Sequence, residues 1–429
     1  RADAVHPGSG FLAENAAFAR ACAENGIVFI GPPAEVLAAS ADKLTVKRRV
    51  AAAGVPVIPG PLEAVPEDSR ALLETGRETG YPLLLKAAAG GGGKGMREVA
   101  GEADLLSAAE AGRREAGGAF GGTSLYVERF LRPVRHVEVQ VLCDDRGHVA
   151  VLGERDCSVQ RRHQKVIEET PAPGLAAGTR RALHEAAAVV ARAVGYRNAG
   201  TVEFLLEEDG RFHFLEFNRR LQVEHPVTEV VLGMDLVAWQ LRLAAGESLP
   251  ENSAFQPRGH AMEARIYAED PRRGFAPSAG RVSAVRKAVG PGVRVDSALV
   301  PGIEISPFYD PLLAKVIVHG ETREEALRRL DLALAETVVL GLRTNVGFLR
   351  RILAHEGFVR GDLRPDLVDG PSKPLCPEPD PPLAVFLAVA AHALLPGAAG
   401  MPMRPAASLN GLPSPWRTLT GFRLSEDVS

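Results

Sequence analysis

Hydrophobic and polar positions follow two different periods along this chain. Between residues 1 and about 60, Glu14 to Asn25 carries apolar residues at helical spacing, Ile27 to Ile30 is a short β-like run, and Ala41 to Ala53 is again helical. Gly31-Pro32 and Pro59-Gly60 punctuate the pattern, which predicts part of an α/β layer. From Pro61 to about Leu131 a smaller α/β unit is expected: a strand at Pro82 to Ala87, a glycine-rich loop, a strand at Met96 to Val99 and a helix at Ala103 to Ala116. From Arg132 to about Gly370 period-two runs dominate, with helices near Thr179 to Val194, Asp235 to Ala245 and Arg323 to Thr337. After Gly370 the stretch SKPLCPEPDPPL reads as a linker, so residues 371–429 are expected to open a further domain. Its apolar run Leu383 to Leu395 contains His392 and stops at Pro396, well short of a bilayer span, and predicts a buried or docking helix.

With 429 residues and 46% hydrophobic content the chain can build several cores, as an ordinary soluble globular protein. A net charge of -3 gives no footprint for nucleic acid or an anionic membrane, so any phosphate binding must be local. Cys22, Cys143, Cys157 and Cys376 are far apart and form no C-x-x-C pair, which argues against a zinc site or a disulfide framework and favours a reducing cytosol. The first residues, RADAVHPGSGFLAENAAFARAC, have no initiator Met, basic n-region or apolar h-region. They do not read as a signal peptide but as a chain entered partway.

Candidate chemistry begins at Gly90 to Gly95. A Walker loop needs G-x-x-x-x-G-K-[ST], but Ala88 stands at its first glycine and Gly95 follows Lys94. A dinucleotide fingerprint would run from strand into helix, whereas Gly-Met-Arg-Glu-Val is β-like. The loop therefore joins two strands as a flap whose amides can cover a triphosphate, with Lys86 reaching the phosphates; a plain hairpin turn would need two glycines, not five among six residues. Further on, Asp209-Gly210 predicts a two-residue type I′ turn, which sets Glu203 opposite Glu216. The same alternation puts Glu203, Leu205, Phe212, Phe214, Glu216 and Asn218 on one face. Facing carboxylates repel, and a hard divalent ion such as Mg²⁺ between them would resolve the conflict; an arginine partner or solvent would do so too.

Arg219 to Pro226 (RRLQVEHP) is expected as a strand giving way to a loop, with guanidinium groups suited to a small oxyanion and Glu224 placed to take a proton. The clusters Arg161 to Lys165 and Val293 to Asp296 could face the same space, although each by itself reads more readily as a solvated charged face.

The segments KAAAGGGGKGM (86–96), RHVEVQV (135–141), ERDCSVQRRHQKVIEE (154–169) and EFNRRLQVEHPVTE (216–229), in this order, resemble the biotin carboxylase family from His6 to about Asp366. The resemblance implies an ATP-grasp fold of the α/β (α+β) class: a remnant of an N-terminal Rossmann-like domain (1–60), a mobile central lid (61–131) and a C-terminal mixed-sheet domain (132–370). It implies that Lys43, Lys86, Gly92, Gly93, Glu128, Arg129, Leu131, His136, Gln160 and His163 surround ATP, with Leu205 and Leu342 against the adenine, and that Glu203, Glu216 and Asn218 hold Mg²⁺ or Mn²⁺. Lys165, Arg220, Gln222 and the Val223 amide would bind bicarbonate and carboxyphosphate, Glu224 would be the general base, and Arg294 would stabilise the biotin enolate.

Three departures accompany the resemblance. The family's opening strand and its A-N-R-G-E-I-A-like segment are missing, Ser9 stands where an aromatic is usual, and Arg219 where a small residue is expected. No A-M-K-M biotinylation site is present, so biotin is expected on a separate carrier domain or subunit, with a carboxyltransferase subunit and a homodimer or larger oligomer as partners. SPWRTLTGFRL (414–424) faintly resembles methylcrotonyl-type acyl-CoA carboxylase α subunits; a pyruvate or urea carboxylase, or an inert assembly subunit, is the alternative.

Overall fold

The computed structural model describes residues 2–88, 96–120, 123–250 and 255–369, with Leu375 and a few isolated positions between 383 and 390. Residues 1–377 form one compact unit and 378–429 a second. At the start, β1 (Ala4–Val5) and β2 (Val28–Phe29) pair in parallel across α1 (Ala16–Glu24), the connection a parallel pair requires. Asn15 caps α1 by accepting from the Phe18 amide at 2.9 Å. After α2 (Ala34–Ala39), Asp42 caps α3 (Lys43–Ala52) through the Thr45 amide at 2.9 Å, which fixes Lys43 in the first turn.

The smaller unit is an antiparallel sheet of order β4-β3-β5, where β3 is Leu83–Ala87, β4 is Arg97–Val99 and β5 is Leu125–Arg129. It packs against α4 (Ser69–Thr79), which the sequence pattern did not announce, and α5 (Glu102–Phe120), around Leu72, Leu83, Leu85, Leu105 and Val127. The glycine segment, including Gly92 and Gly93, lies outside the described residues. Leu85 pairs with Arg97, so the segment does join neighbouring antiparallel strands as expected.

The larger sheet has eight strands: β6 (Val134–Cys143), β7 (Val149–Arg161), β8 (Gln164–Thr170), β9 (Asn198–Glu207), β10 (Phe212–Asn218), β11 (His260–Tyr267), β12 (Val293–Ser297) and β13 (Leu312–Gly320). Their order is β10-β9-β6-β7-β8-β11-β13-β12, and every pairing is antiparallel where a mixed sheet was expected, because short hairpins join β6 to β7, β7 to β8 and β9 to β10. One face is mainly apolar, with Glu154, Asp156 and Glu169 as buried charged exceptions. Its β9–β10 end packs on α6 (Ala177–Ala193) through Val139, Val202, Phe204 and Leu183. Its other end packs on α9 (Arg323–Glu336) and α10 (Val346–Leu353) through Met262, Ile266, Val316, Leu330 and Phe348.

The opposite face is ionised. Directly paired residues share a face, so Glu216, Glu203, Glu138 and Arg155 form a row across β10, β9, β6 and β7. Toward the other edge Glu168 pairs with Glu263, and Arg265 with Lys315. Over that end lies α7 (His225–Leu232), where a loop was expected, and α8 (Leu236–Ala244) follows it, as the sequence pattern predicted. Pro226 falls in its first turn, where the missing N–H has no partner to lose, and Val227 and Val231 pack on Ala261 and Ile317.

Candidate active site: an ionised row beneath helix α7

The β9–β10 hairpin brings Glu203 opposite Glu216 as the sequence suggested, but by another route. The expected two-residue turn is a three-residue loop, in which Gly210 (φ +88°) donates to the Glu207 carbonyl and Glu207 and Arg211 close the ladder. That shifts the register by one, and a bulge between Phe214 and Glu216 shifts it back. One expectation is corrected as a result: Phe212 and Phe214 lie on the opposite face, edge-on to Phe204. The carboxylates therefore sit among polar groups, not among aromatic rings.

Those polar groups are close. Lys165 Nζ bonds Glu138 (2.5 Å), Glu203 (2.9 Å) and Glu224 (2.6 Å) at once. Burial works against its charge, but Cys157, Glu138, Glu203 and Glu224 hold the ammonium well above the ordinary lysine value. Glu203 also faces His136 Nε2 at 3.0 Å and accepts from Asn218 Nδ2 at 2.9 Å. Burial pushes its carboxyl up, and Lys165 and His136 more than reverse that, leaving it below the usual range. Glu216 pairs with Lys43 at 3.0 Å. Gln160 fixes the other His136 nitrogen at 2.7 Å. On the smaller unit, Glu128 holds Lys86 at 2.5 Å and Lys47 at 2.7 Å. A buried pair of this kind loses several kcal/mol if one partner is removed, on the order of 3–5.

Across the loop before α7, Arg220 donates to Gln222 Oε1 (3.2 Å) and Gln222 to Glu203 (3.4 Å). Lys315 donates to the Val223 carbonyl at 2.6 Å. Glu224 is buried, and Lys165, Arg265 and Arg155 overcome the burial that would protonate it, so it stands ionised. Arg219 accounts for its unexpected bulk: its amide donates to Glu14 at 3.0 Å and its guanidinium to the Leu37 carbonyl at 3.0 Å, tying the end of β10 to α2 and the start of α1.

Some expected residues stand apart from this row. Arg294 is half-buried on β12 and donates to Glu229 (2.6 Å) and Asp296 (2.8 Å). The arginine that does meet Glu224 is Arg265, fully bonded between Glu224 (2.8 Å) and Glu168 (2.6 Å). Leu342 packs on the core beneath α9 and α10. His163 is exposed in the β7–β8 turn at φ +64°, whereas Arg161 and Lys165 of the same cluster, like Gln160 before it, are inward, so the solvated-face reading fails for two of that cluster. Arg129 is exposed and its amide donates to the Pro59 carbonyl at 2.7 Å; Leu131 and Leu205 are half-buried. Sequence reasoning missed Lys47, Glu138, Arg155 and Arg265. The alternation His136-Val-Glu138-Val-Gln140 carried a signal for Glu138, and Lys43-x-x-x-Lys47 one for Lys47.

The residues present suit a hard cation. Two carboxylates face each other beside the Asn218 amide, which donates to Glu203 here and whose oxygen would complete an all-oxygen donor set of the type Mg²⁺ takes; the carboxylates' mutual repulsion is offset by Lys43 and Lys165.

Comparison with known proteins agrees along the whole described chain. Residues 1–37 match the family description Biotin carboxylase, N-terminal domain; residues 42–252 match Carbamoyl-phosphate synthase L chain, ATP binding domain; residues 263–369 match Biotin carboxylase C-terminal domain. Biotin carboxylase 2 of Bacillus subtilis is 46% identical over 369 residues, 86% of this chain and 83% of that protein. The mitochondrial methylcrotonoyl-CoA carboxylase subunit alpha of Dictyostelium discoideum is 43% identical over 429 residues, 100% of this chain and 61% of that one. Among solved structures, the biotin carboxylase domain dimer of Hydrogenobacter thermophilus 2-oxoglutarate carboxylase, in complex with MgADP, ADP and bicarbonate, superposes with a TM-score of 0.83 at 42% identity, covering 86% of this chain and 81% of that one.

Proposed function

We propose, from the premise that the chain belongs to the biotin carboxylase family, that it is the ATP-dependent ligase carboxylating carrier-borne biotin with bicarbonate inside an acyl-CoA carboxylase. The observation that carries the chemistry is the three-way bond of Lys165 to Glu138, Glu203 and Glu224, beside Arg220 and Arg265. It gathers a base, cations and carboxylates into one buried place. Support for the acyl-CoA class comes from the Dictyostelium protein, whose similarity runs through residues 378–429 as well. A 2-oxo acid acceptor, as in the Hydrogenobacter protein's name, is the second reading.

Bicarbonate is a poor electrophile and must be activated. In the proposed reaction Arg220, Gln222 and the Val223 amide hold it, and Glu224, ionised at neutral pH, removes its proton as its oxygen attacks the γ-phosphate of ATP. Lys86 and Lys43 neutralise the phosphate charge, and transfer gives carboxyphosphate and ADP. Mg²⁺, held by Glu203, Glu216 and Asn218, would supply further charge neutralisation on the phosphates. In the free protein Lys165 and Arg265 restrain Glu224 as a base; bound anions compete for both cations and so release it. Carboxyphosphate then breaks into CO₂ and phosphate, the phosphate takes the ureido N–H proton of biotin, and the nitrogen attacks CO₂. The developing enolate oxygen needs a fixed cation within reach of biotin, a role that stays with Arg294, whose guanidinium is part-exposed, while Arg265 is buried and bonded to Glu168 and Glu224.

The partners proposed are a biotin carrier domain, a carboxyltransferase and a second copy of the chain. Cys22, Cys143 and Cys157 are buried free thiols, which suits a reducing compartment such as the cytoplasm. Among the described residues no helix is long and apolar enough to cross a membrane. The test is ADP release by this chain with bicarbonate, with and without free biotin, followed by transfer to acyl-CoA or 2-oxo acid acceptors in the presence of carrier and transferase. Biotin-stimulated ADP release is expected; its failure in folded, Mg·ATP-binding protein would leave an inert assembly subunit.

A further inference from the structure

Beneath α7 lies a pair of glutamates that the reaction as written does not use. Glu168 on β8 and Glu263 on β11 are directly paired across the sheet, and both are fully buried. Among the described residues neither oxygen of Glu263 has a hydrogen-bond partner, nor does Oε2 of Glu168. Lys315 Nζ stands 3.9 Å from Glu263, beyond hydrogen-bond reach, and donates instead to Val223. Lys165 is already occupied by three other carboxylates, and Arg265 by Glu168 and Glu224. Arg265 compensates an ionised Glu168, but an ionised Glu263 facing it would carry a charge with no hydrogen-bonding cation in a low-dielectric interior. A proton held between them removes one charge and supplies the missing donor.

We propose that Glu168 and Glu263 form an acid–carboxylate pair that carries one shared proton and, through Arg265, sets the charge that Glu224 meets. Glu263 is the acid and Glu168 the carboxylate. The other titratable groups facing the pair are Lys165 on β8, Cys157 on β7, Arg265 and Tyr267 on β11, Lys315 on β13 and Glu224 at the head of α7. Burial pushes Glu263 well above the usual carboxylate range despite Lys315. Burial also raises Glu168, to about 7, with Arg265 opposing and Glu224 adding to the shift. Above neutral pH, then, Glu168 is ionised and shares Arg265 with Glu224, which keeps the base from being paired with Arg265 alone. Both are positioning residues, since neither touches the reacting atoms. The effect on rate rests on the proposed role of Glu224; the shared proton does not.

Infrared spectroscopy tests the proton directly. Wild-type protein carrying ¹³C-glutamate should show, at pH 8, an isotope-shifted carboxylic acid carbonyl band, and Glu263→Gln should lose it while Glu168→Gln keeps it. Loss of an ionised-carboxylate band in Glu263→Gln, or a wild-type spectrum with no acid band at pH 8, would overturn the proposal, and the second measurement needs no variant. Kinetics test the consequence. Glu263→Gln mimics the neutral acid and should keep kcat/KM for bicarbonate within about threefold of wild type. Glu168→Gln hands Arg265 to Glu224 and should lower kcat about three- to tenfold, as a more acidic base requires, with the KM for ATP unchanged. A loss beyond tenfold in folded Glu263→Gln would also sink the idea. Wild-type protein without biotin carboxylase activity but with the acid band would overturn the assigned reaction, not the pair.

Discussion

Replacing Arg265 and Arg294 in turn separates the arginine that holds Glu224 from the one assigned to the enolate. Arg265 is fully buried and holds two buried carboxylates, Glu168 Oε1 at 2.6 Å and Glu224 Oε2 at 2.8 Å. Truncating it to alanine leaves both without that cation, and breaking a buried pair costs on the order of 3–5 kcal/mol. Arg294 is more exposed, and its bonds to Glu229 and Asp296 are screened, so its loss should cost about 0–1 kcal/mol. Thermal melts should show this difference first. ADP release is then followed at saturating Mg·ATP, with bicarbonate alone and with biotin added, below the melting range of both variants. Arg294→Ala should lose about 10² or more of biotin-dependent turnover, the size expected for one oxyanion donor, and keep the biotin-independent ADP release, while Arg265→Ala, which takes a cation from Glu224, should alter ADP release in both assays alike. Should Arg294→Ala keep biotin-dependent turnover within about threefold of wild type, the enolate assignment is wrong.

Other outcomes follow from the same row. Mg·ATP at a hundredfold excess over Kd should stabilise the fold by about 2.7 kcal/mol, and melts that coincide with and without it would rule out a native nucleotide site. Glu203→Gln breaks bonds to Lys165, His136 and Asn218 and should cost about 1–3 kcal/mol in the free protein, whereas Glu216→Gln, paired only with the part-exposed Lys43, should cost less than about 1; both should lose the Mg·ATP shift, and an undiminished shift in either would free it from the metal set. His225 is pushed down to about 4 by burial and by Lys315, so it is neutral in the fold. The unfolded chain binds its proton first, so this contribution is complete above the ordinary histidine value of about 6.5 and is lost as pH falls from there to about 4. Urea titrations of wild type and His225→Gln at pH 7 and pH 5 should show the variant losing less stability between them; equal losses would place the titration elsewhere.

The sequence by itself determined the local elements and the residue types of the site. Amphipathic runs fixed α1, α3, α6 and α9 to within a few residues, because side-chain period is a local property. The facing of Glu203 and Glu216 was also legible, although the turn and the bulge compensated each other in a way no alternation pattern records. Helix α7 was not legible, since Q-V-E-H-P reads as a break before proline unless the proline's place in a first turn is known. Tertiary structure alone decided which charges meet. Lys165, Glu138, Glu203 and Glu224 come from four separate segments, and their contact exists only once β9, β6, β7 and β8 lie side by side in one antiparallel sheet and α7 lies over it. The same holds for the two arginines. Arg265 and Arg294 are equally basic in sequence, but strand order sets the first between two buried glutamates and gives the second to Glu229 and Asp296, since electrostatic partnership depends on distance in space and on burial, neither of which a linear pattern contains.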